Sequence, residues 1–270
     1  MTQRSTDASP MGTLVREAYS RWGIVVDPAK KQMVESRLEA ASRKLGVETL
    51  KELVNALKSD ATGRVETILF DALSTNFTSF FREREHIDFL VQEARRKARG
   101  KLRYWSAGCS NGSEPYSLAM ALADSLEPAQ RADLKILASD LAISELRRAK
   151  AAVYSKDAIR NLAPDMVKRH FESTSDGSVR VREQTRNLVT VASINLSGPW
   201  KLRGPFDAIL CQNVMIYFDE ASRQRLVARF AQLLHPGGYL IIGLTESITG
   251  RCDELRLVRP GVYAKVGVEE

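Results

Sequence analysis

Hydrophobic residues recur every three or four positions up to about residue 60, the period of helices that pack through one face. Leu14, Val15, Ala18, Tyr19 and Trp22 mark a first helix, and Gly23 is placed to close it in the left-handed conformation. Asp27 and Pro28 read as the cap and first turn of a second helix, with Val34, Leu38, Ala41 and Leu45 along one face and Gly46 at its end. Thr49 and Glu52 form a capping-box pattern in front of Leu50, Leu53, Val54 and Leu57. The pattern predicts a polar, disordered tail over residues 1–10, a small all-α domain over 11–60 and a linker over 61–73, opened by the turn-prone segment SDATGR.

The period changes after residue 102. LRYWSA, LKILASD, NLVTVASINL, FDAILCQN and YLIIGL are short apolar runs rich in strand formers. Helical patterns near Tyr116 to Ser125, Ser144 to Ala152 and Glu220 to Leu234 separate some of them. Such alternation predicts an α/β domain over 74–270, with a parallel sheet covered by helices on both faces and ligands beyond the carboxyl ends of the strands. VRVR alternates in the manner of a half-exposed strand behind an Asp176–Gly177 turn, which predicts a small antiparallel insertion over about 171–192. Surface insertions often carry partner recognition, and a merely decorative hairpin is the plain alternative.

Composition narrows the setting without naming a task. No run of about 18 apolar residues occurs, so no membrane-spanning helix is expected. Cys109, Cys211 and Cys252 form no C-x-x-C pair, and His86, His170 and His235 are equally dispersed. Neither a disulfide framework nor a metal site is expected, and a cytoplasmic setting follows. The net charge of +7 favours an acidic partner. Lys30, Arg37 and Lys44, seven apart on the second helix, read either as a solvated edge or as a docking face for such a partner.

The stretch Arg103 to Pro115, RYWSAGCSNGSEP, carries the chemistry. It reads as a strand, a loop turning through Gly108 and Gly112, and a helix start, which lets backbone N–H groups approach a nucleotide-like ligand. The glycines are too few for the dinucleotide fingerprint, and Glu114 would repel a pyrophosphate. A cofactor without phosphates, such as S-adenosylmethionine, fits better. Asp140, Asn195 and Asn213 each close a strand run, where a carboxylate suits ribose hydroxyls and an amide suits an adenine edge. Each alone also fits a helix cap. Tyr217 follows at the lip in NVMIYFD, which lacks the prolines of the amine and amide methyltransferase motif, and Cys211 lies in an apolar strand with no Pro before it. Both points argue against nitrogen and ring-carbon acceptors. In STNFTSFFRERE, Phe77, Phe80 and Phe81 read as a helix face, but Asn76, Thr78 and Arg82 interleave with them as a lid over a polar ligand requires.

STNFTSFFRE, YWSAGCSNGSEPYSLAM, ILASDL, INL and FDAILCQNVMIYFD, in this order, closely resemble chemotaxis-receptor glutamate O-methyltransferases of the CheR type, over essentially the whole chain. The resemblance implies a Rossmann-like S-adenosylmethionine-dependent methyltransferase sheet behind an all-α domain. It also implies methyl transfer from S-adenosylmethionine to glutamates on the cytoplasmic coiled coil of chemoreceptors, leaving S-adenosylhomocysteine. Carried over by motif, Asn76, Thr78 and Arg82 would contact the cofactor from the lid, Glu114 its amino-acid end, Asp140 its ribose, and Asn195 with Leu196 its adenine. Gln212 and Asn213 would complete the pocket, and Tyr217 with Arg82 would position the incoming glutamate. Two departures stand out: Gln212 replaces an Arg of many relatives, and the segment between Phe171 and Val179 is shorter than in relatives whose insertion docks a receptor-tail peptide. The expectation is an enzyme that works without that tether, as a monomer. Two rivals are a nucleic-acid methyltransferase using the basic run RRKARGKLR, and a module that binds the cofactor without transfer.

Overall fold

A computed structural model describes residues 9–27, 29, 31–74, 77–97, 100–248, 250 and 252–267. Four helices open it: α1 (Pro10–Trp22), α2 (Lys31–Leu45), α3 (Leu50–Lys58) and α4 (Arg64–Leu73). Ser9 accepts a hydrogen bond from Gly12 N at 3.1 Å, so α1 begins inside the stretch expected to be a tail. Residues 1–8 and Pro28 lie outside the described residues. Gly23 closes α1 at φ 71, and the Thr49–Glu52 capping box forms in full.

Residues 64–73 correct the linker expectation. Val65, Ile68, Leu69 and Ala72 keep helical spacing and pack with Leu38, Leu53 and Trp22 in one core, with Leu69 only 1% exposed. The flexible-looking SDATGR segment is a tight turn between two packed helices. Asp60 holds it, one carboxylate oxygen accepting from Thr62 and the other from Glu66 N.

The remaining chain runs α5 (Arg84–Arg96), β1 (Leu102–Ala107), α6 (Ser113–Ser125), α7 (Pro128–Arg131), β2 (Leu134–Asp140), α8 (Ile143–Ala151), β3 (Val153–Tyr154), α9 (Pro164–His170), β4 (Phe171–Ser173), β5 (Val179–Val181), α10 (Glu183–Arg186), β6 (Val189–Ser193), β7 (Phe206–Cys211), α11 (Glu220–Leu233), β8 (Leu234–Ile242), β9 (Leu255–Arg259) and β10 (Val262–Lys265). The main sheet has the order β6-β2-β1-β7-β8-β10-β9. Its first five strands are parallel, and β10 is antiparallel to both β8 and β9. The strand order reverses between β1 and β7, the place where open α/β sheets leave a crevice.

Alternate residues of β1 and β7 point to opposite faces. Leu102, Tyr104, Ala208 and Leu210 join α5 and α6 in one core, while Trp105, Ala107, Ile209 and Cys211 join α11 in the other. Trp105 is fully buried beside Phe230 and Trp200, and its indole N–H is satisfied by Ser139 Oγ at 2.8 Å.

The insertion is a three-stranded sheet in the order β3-β5-β4. It therefore begins at Val153, not at about 171, because the two-residue strand β3 closes one edge. The Asp176–Gly177 turn between β4 and β5 is as expected, with Gly177 at φ 82.

Candidate active site

A cleft of about 250 Å³ opens beyond the carboxyl ends of β1, β2 and β7. Thr78, Arg82, Glu114, Asp140, Asn195, Leu196, Gln212, Asn213 and Tyr217 all line it, so residues spread over 140 positions of sequence meet around one space. Asn76 lies outside the described residues.

The glycine loop after β1 forms one wall. Gly108 turns at φ 92, where a Cβ would come 2.4 Å from the Val214 side chain, and Ser110 sits at φ 48. Asp140, at the end of β2, fastens this loop. One carboxylate oxygen accepts from Ser110 N at 2.8 Å, and the other from Leu141 N and Ala142 N at 2.7 and 2.9 Å. Burial pushes the Asp140 carboxyl up, and these three N–H groups offset only part of that effect. Glu114 stands in the first turn of α6, where the helix N-terminus favours an anion. Ser106 Oγ donates to it at 2.6 Å. Burial raises its pKa to about 7, against the lowering effects of Ser106, His86 and Arg82.

The lid segment faces this wall. Phe80 is buried against Tyr154 and Phe171 in the insertion, so it is core, but residues 77–83 form loop and turn and not the helix that the spacing predicts, with Phe81 and Glu83 at positive φ. Phe77 is 77% exposed and lines the cleft mouth with Ile216, which is 53% exposed. Arg82 donates from one terminal nitrogen to the Phe77 carbonyl at 3.0 Å and from the other to Asn213 Oδ1 at 3.1 Å. Asn213 adopts φ 59, and its N–H is held by Glu246 Oε2 at 2.8 Å. Four residues around the cleft, Phe81, Glu83, Ser110 and Asn213, take left-handed backbone conformations that non-glycine residues adopt at a cost.

The helical domain supplies the third wall through Trp22, Ile24 and Phe70. Val25 N donates to the Tyr217 carbonyl at 2.8 Å, and Ser197 Oγ donates to the Trp22 carbonyl at 2.9 Å. Asn195 lines the cleft, but its amide is engaged within the protein: Nδ2 donates to the Arg21 carbonyl at 2.7 Å and Oδ1 accepts from Ser197 N at 3.0 Å. In this arrangement the side chain ties the two domains together at the edge of the cleft.

Sequence reasoning missed Trp22, which reads only as helical core, Ile24, which follows the Gly23 helix stop, and Phe70, which falls in the stretch expected to be a linker. It also missed Glu83 and Glu246, which hold Gln212 and Asn213 from behind. Glu83 sits beside Arg82 in RERE, a run that reads as the charged start of a helix. Glu246 has no local signal, since its partners lie 33 residues away and across a turn.

S-adenosylmethionine fits these residues. Arg82 is the only basic side chain among the described lining residues, while Glu114 and Asp140 are acidic and the helical-domain wall is apolar. That balance suits a cationic nucleoside and disfavours a pyrophosphate. Cys211 is fully buried, and burial pushes its thiol well up, so it supplies no thiolate. Most of the described basic residues between the end of α5 and β1 are engaged structurally: Arg95 donates to the Ser125 carbonyl, Arg96 pairs with Glu93, Lys97 with Asp207 and Arg103 with Asp133. Ala98 and Arg99 lie outside the described residues. Arg37, offered as part of a docking edge, donates to the Ser74 carbonyl at 3.3 Å, and Lys30 lies outside the described residues.

Comparison with known proteins agrees with this architecture. Residues 12–74 match the family model described as "CheR methyltransferase, all-alpha domain", and residues 76–263 match "CheR methyltransferase, SAM binding domain". The chain is 40% identical to a chemotaxis protein methyltransferase of Escherichia coli (strain K12), over 91% of this chain and 87% of that one. It is 35% identical to a chemotaxis protein methyltransferase of Borreliella burgdorferi, over 94% and 93%. A probable chemotaxis protein methyltransferase of Rhizobium etli is 36% identical, over 88% and 92%.

Proposed function

This chain belongs to the CheR methyltransferase family, and from that premise we propose that it transfers a methyl group from S-adenosylmethionine to glutamate carboxylates on the coiled-coil domain of chemoreceptors. The products are glutamate methyl esters and S-adenosylhomocysteine. The observation that carries the reading is the meeting of Arg82, Glu114, Asp140, Gln212, Asn213 and Tyr217 around a cleft with acidic, apolar and singly basic walls.

When bound, the cofactor supplies a sulfonium-activated methyl group. The acceptor glutamate is ionised at neutral pH, its reference pKa being about 4.3, so no general base is required. The chain must then bring a carboxylate oxygen into line with the methyl carbon, at about 3 Å, and exclude water. In this reading Glu114 and Asp140 hold the cationic nucleoside, with Trp22, Ile24, Leu196 and Phe70 packing its apolar part. Arg82, exposed at the mouth and fixed through Phe77 and Asn213, orients the incoming carboxylate, and Tyr217 bounds its other side. Phe77 and Ile216 present apolar surface to the substrate helix, which would keep water from the reacting atoms.

Charge is neutralised as the carboxylate meets the sulfonium, so an Arg that bound the anion too tightly would blunt it. Arg82 therefore orients more than it stabilises developing charge. Arg82→Ala should cut kcat by about two orders of magnitude, the scale of a misplaced reacting group. A variant that methylated receptor fragments at the parental rate, with full cofactor affinity, would remove Arg82 from this role.

The insertion bears on the partner. The β4–β5 hairpin has three residues in each strand, and the reading gives this enzyme independence from a receptor-tail tether. Tight binding of a tail pentapeptide in calorimetry would contradict that. Incubating the chain with labelled cofactor and receptor fragments, then measuring base-labile methanol, separates this function from its rivals. Label in RNA would favour a nucleic-acid substrate, and binding without label transfer would favour a sensor module.

A further inference from the structure

Glu83 has no role in the reading above, yet its contacts control groups that do. Its side chain is 12% exposed and its backbone stands at φ 51. One carboxylate oxygen accepts from Gln212 Nε2 and lies 3.3 Å from His86 Nδ1, while the other accepts from Asn213 Nδ2 at 3.2 Å. Burial pushes this carboxyl up, and the hydrogen-bond donors around it, Asn213 and Gln212 among them, outweigh burial and hold it below the usual range.

An ionised carboxylate can only accept hydrogen bonds. It therefore selects which end of the Asn213 amide faces it, namely the NH2 end. The carbonyl end is left turned toward Arg82, whose guanidinium donates to it at 3.1 Å. His86 supports the arrangement from below. Its Nε2 lies 3.1 Å from the Pro260 carbonyl, which can only accept, so the proton belongs on Nε2. The bare Nδ1 then accepts the second hydrogen of the Gln212 amide at 2.9 Å. Both hydrogens of the Gln212 amide and the His86 Nε2 proton thus meet acceptors, and the chain of bonds ends at Arg82.

We propose that Glu83 is a positioning residue, setting the sense of the Asn213 amide and, through it, the aim of the Arg82 guanidinium at the substrate carboxylate. The proposal rests on the role given to Arg82 above and adds the residue that specifies its direction.

The test exchanges the two polar groups. In Glu83→Gln one side-chain NH2 must face another, and the Asn213 amide relieves the conflict by turning its carbonyl away from Arg82. Receptor-fragment methylation should then lose about a hundredfold in kcat. Affinity for S-adenosylhomocysteine, read by calorimetry, should stay within about threefold, since the nucleoside-holding residues are untouched. Adding Asn213→Asp restores the chain of bonds. The amide introduced by the first substitution accepts from Gln212 through its carbonyl and donates through its NH2 to one oxygen of the carboxylate introduced by the second. The other oxygen of that carboxylate accepts from Arg82, and the local charge is unchanged. The double variant should return to within about fivefold of the parental kcat.

Parental kcat in Glu83→Gln, or a double variant as slow as the single one, would overturn the proposal. A loss of S-adenosylhomocysteine affinity in parallel with kcat would assign Glu83 a merely structural task and overturn it equally. A parental chain that forms no methyl ester would instead overturn the functional reading on which the clamp is built.

Discussion

Glu114 shows how much a single side chain can carry at this site. It stands at a helix N-terminus, where ionisation is favoured, and yet burial lifts its pKa to about 7. Its proton is therefore held more tightly in the folded chain than in the unfolded one. Any stability this confers is complete below the unfolded value, near 4.5, and is lost as pH rises through about 7. Cofactor binding follows the opposite course, because a cationic ligand prefers the ionised carboxylate. Affinity for S-adenosylmethionine should weaken about tenfold from pH 8 to pH 6, following the ionised fraction of one group. Calorimetry across that range on the parent and on Glu114→Gln is the measurement. The variant should bind more weakly at pH 8 and show a flatter profile, and an unchanged slope would detach the pH dependence from Glu114.

At the scale of elements, the strands of the parallel sheet and the first three helices were legible because their apolar periods are regular and because Gly23, Gly46 and the Thr49–Glu52 box mark their ends, although α2 starts at Lys31, beyond the expected Asp27–Pro28 cap. β1 and β2 coincide with LRYWSA and LKILASD, and the Thr49–Glu52 box opens α3 as its spacing predicts. α4 was not legible, because the turn residues before it outweighed the spacing of Val65, Ile68, Leu69 and Ala72. β3 is two residues long, and β9 is exposed along most of its length as an edge strand, so neither leaves an apolar run. Most of the cleft was legible because its residues stand at strand ends, which topology gathers at one rim. The Trp22 wall and the Glu83 and Glu246 supports depend on contacts between distant segments, to which local pattern is blind. The assignment of α4 has a direct consequence. Leu69→Ala should destabilise the chain by about 2–5 kcal/mol, as for a buried leucine, and lower Tm accordingly. A linker residue would change stability by no more than about 0.5 kcal/mol in a denaturant titration.

Across the whole molecule, the cleft belongs to both domains. Trp22, Ile24 and Phe70 come from the helical one, and the bonds Asn195 to Arg21, Ser197 to Trp22, Val25 to Tyr217 and Tyr19 to Asp219 tie it to the sheet. The surplus of positive charge, 40 Lys and Arg against 33 Asp and Glu, is a property of this joined surface, since the most concentrated basic run is largely engaged with Glu93, Asp207 and Asp133. A diffuse positive field acts on encounter more than on the closed complex. For an acidic receptor helix, kcat/KM should therefore fall as salt rises from about 50 mM to about 0.5 M, because the screening length shrinks from beyond 10 Å to a few ångströms. The rate at saturating receptor should stay nearly constant, because Arg82 acts on the bound carboxylate at contact distance, inside the screening length even at the higher salt. Initial rates over a receptor concentration series at several salt levels separate the two quantities. A kcat that fell in step with kcat/KM would place the salt-sensitive contact inside the site, and a kcat/KM indifferent to salt would leave the net charge without a part in finding the substrate.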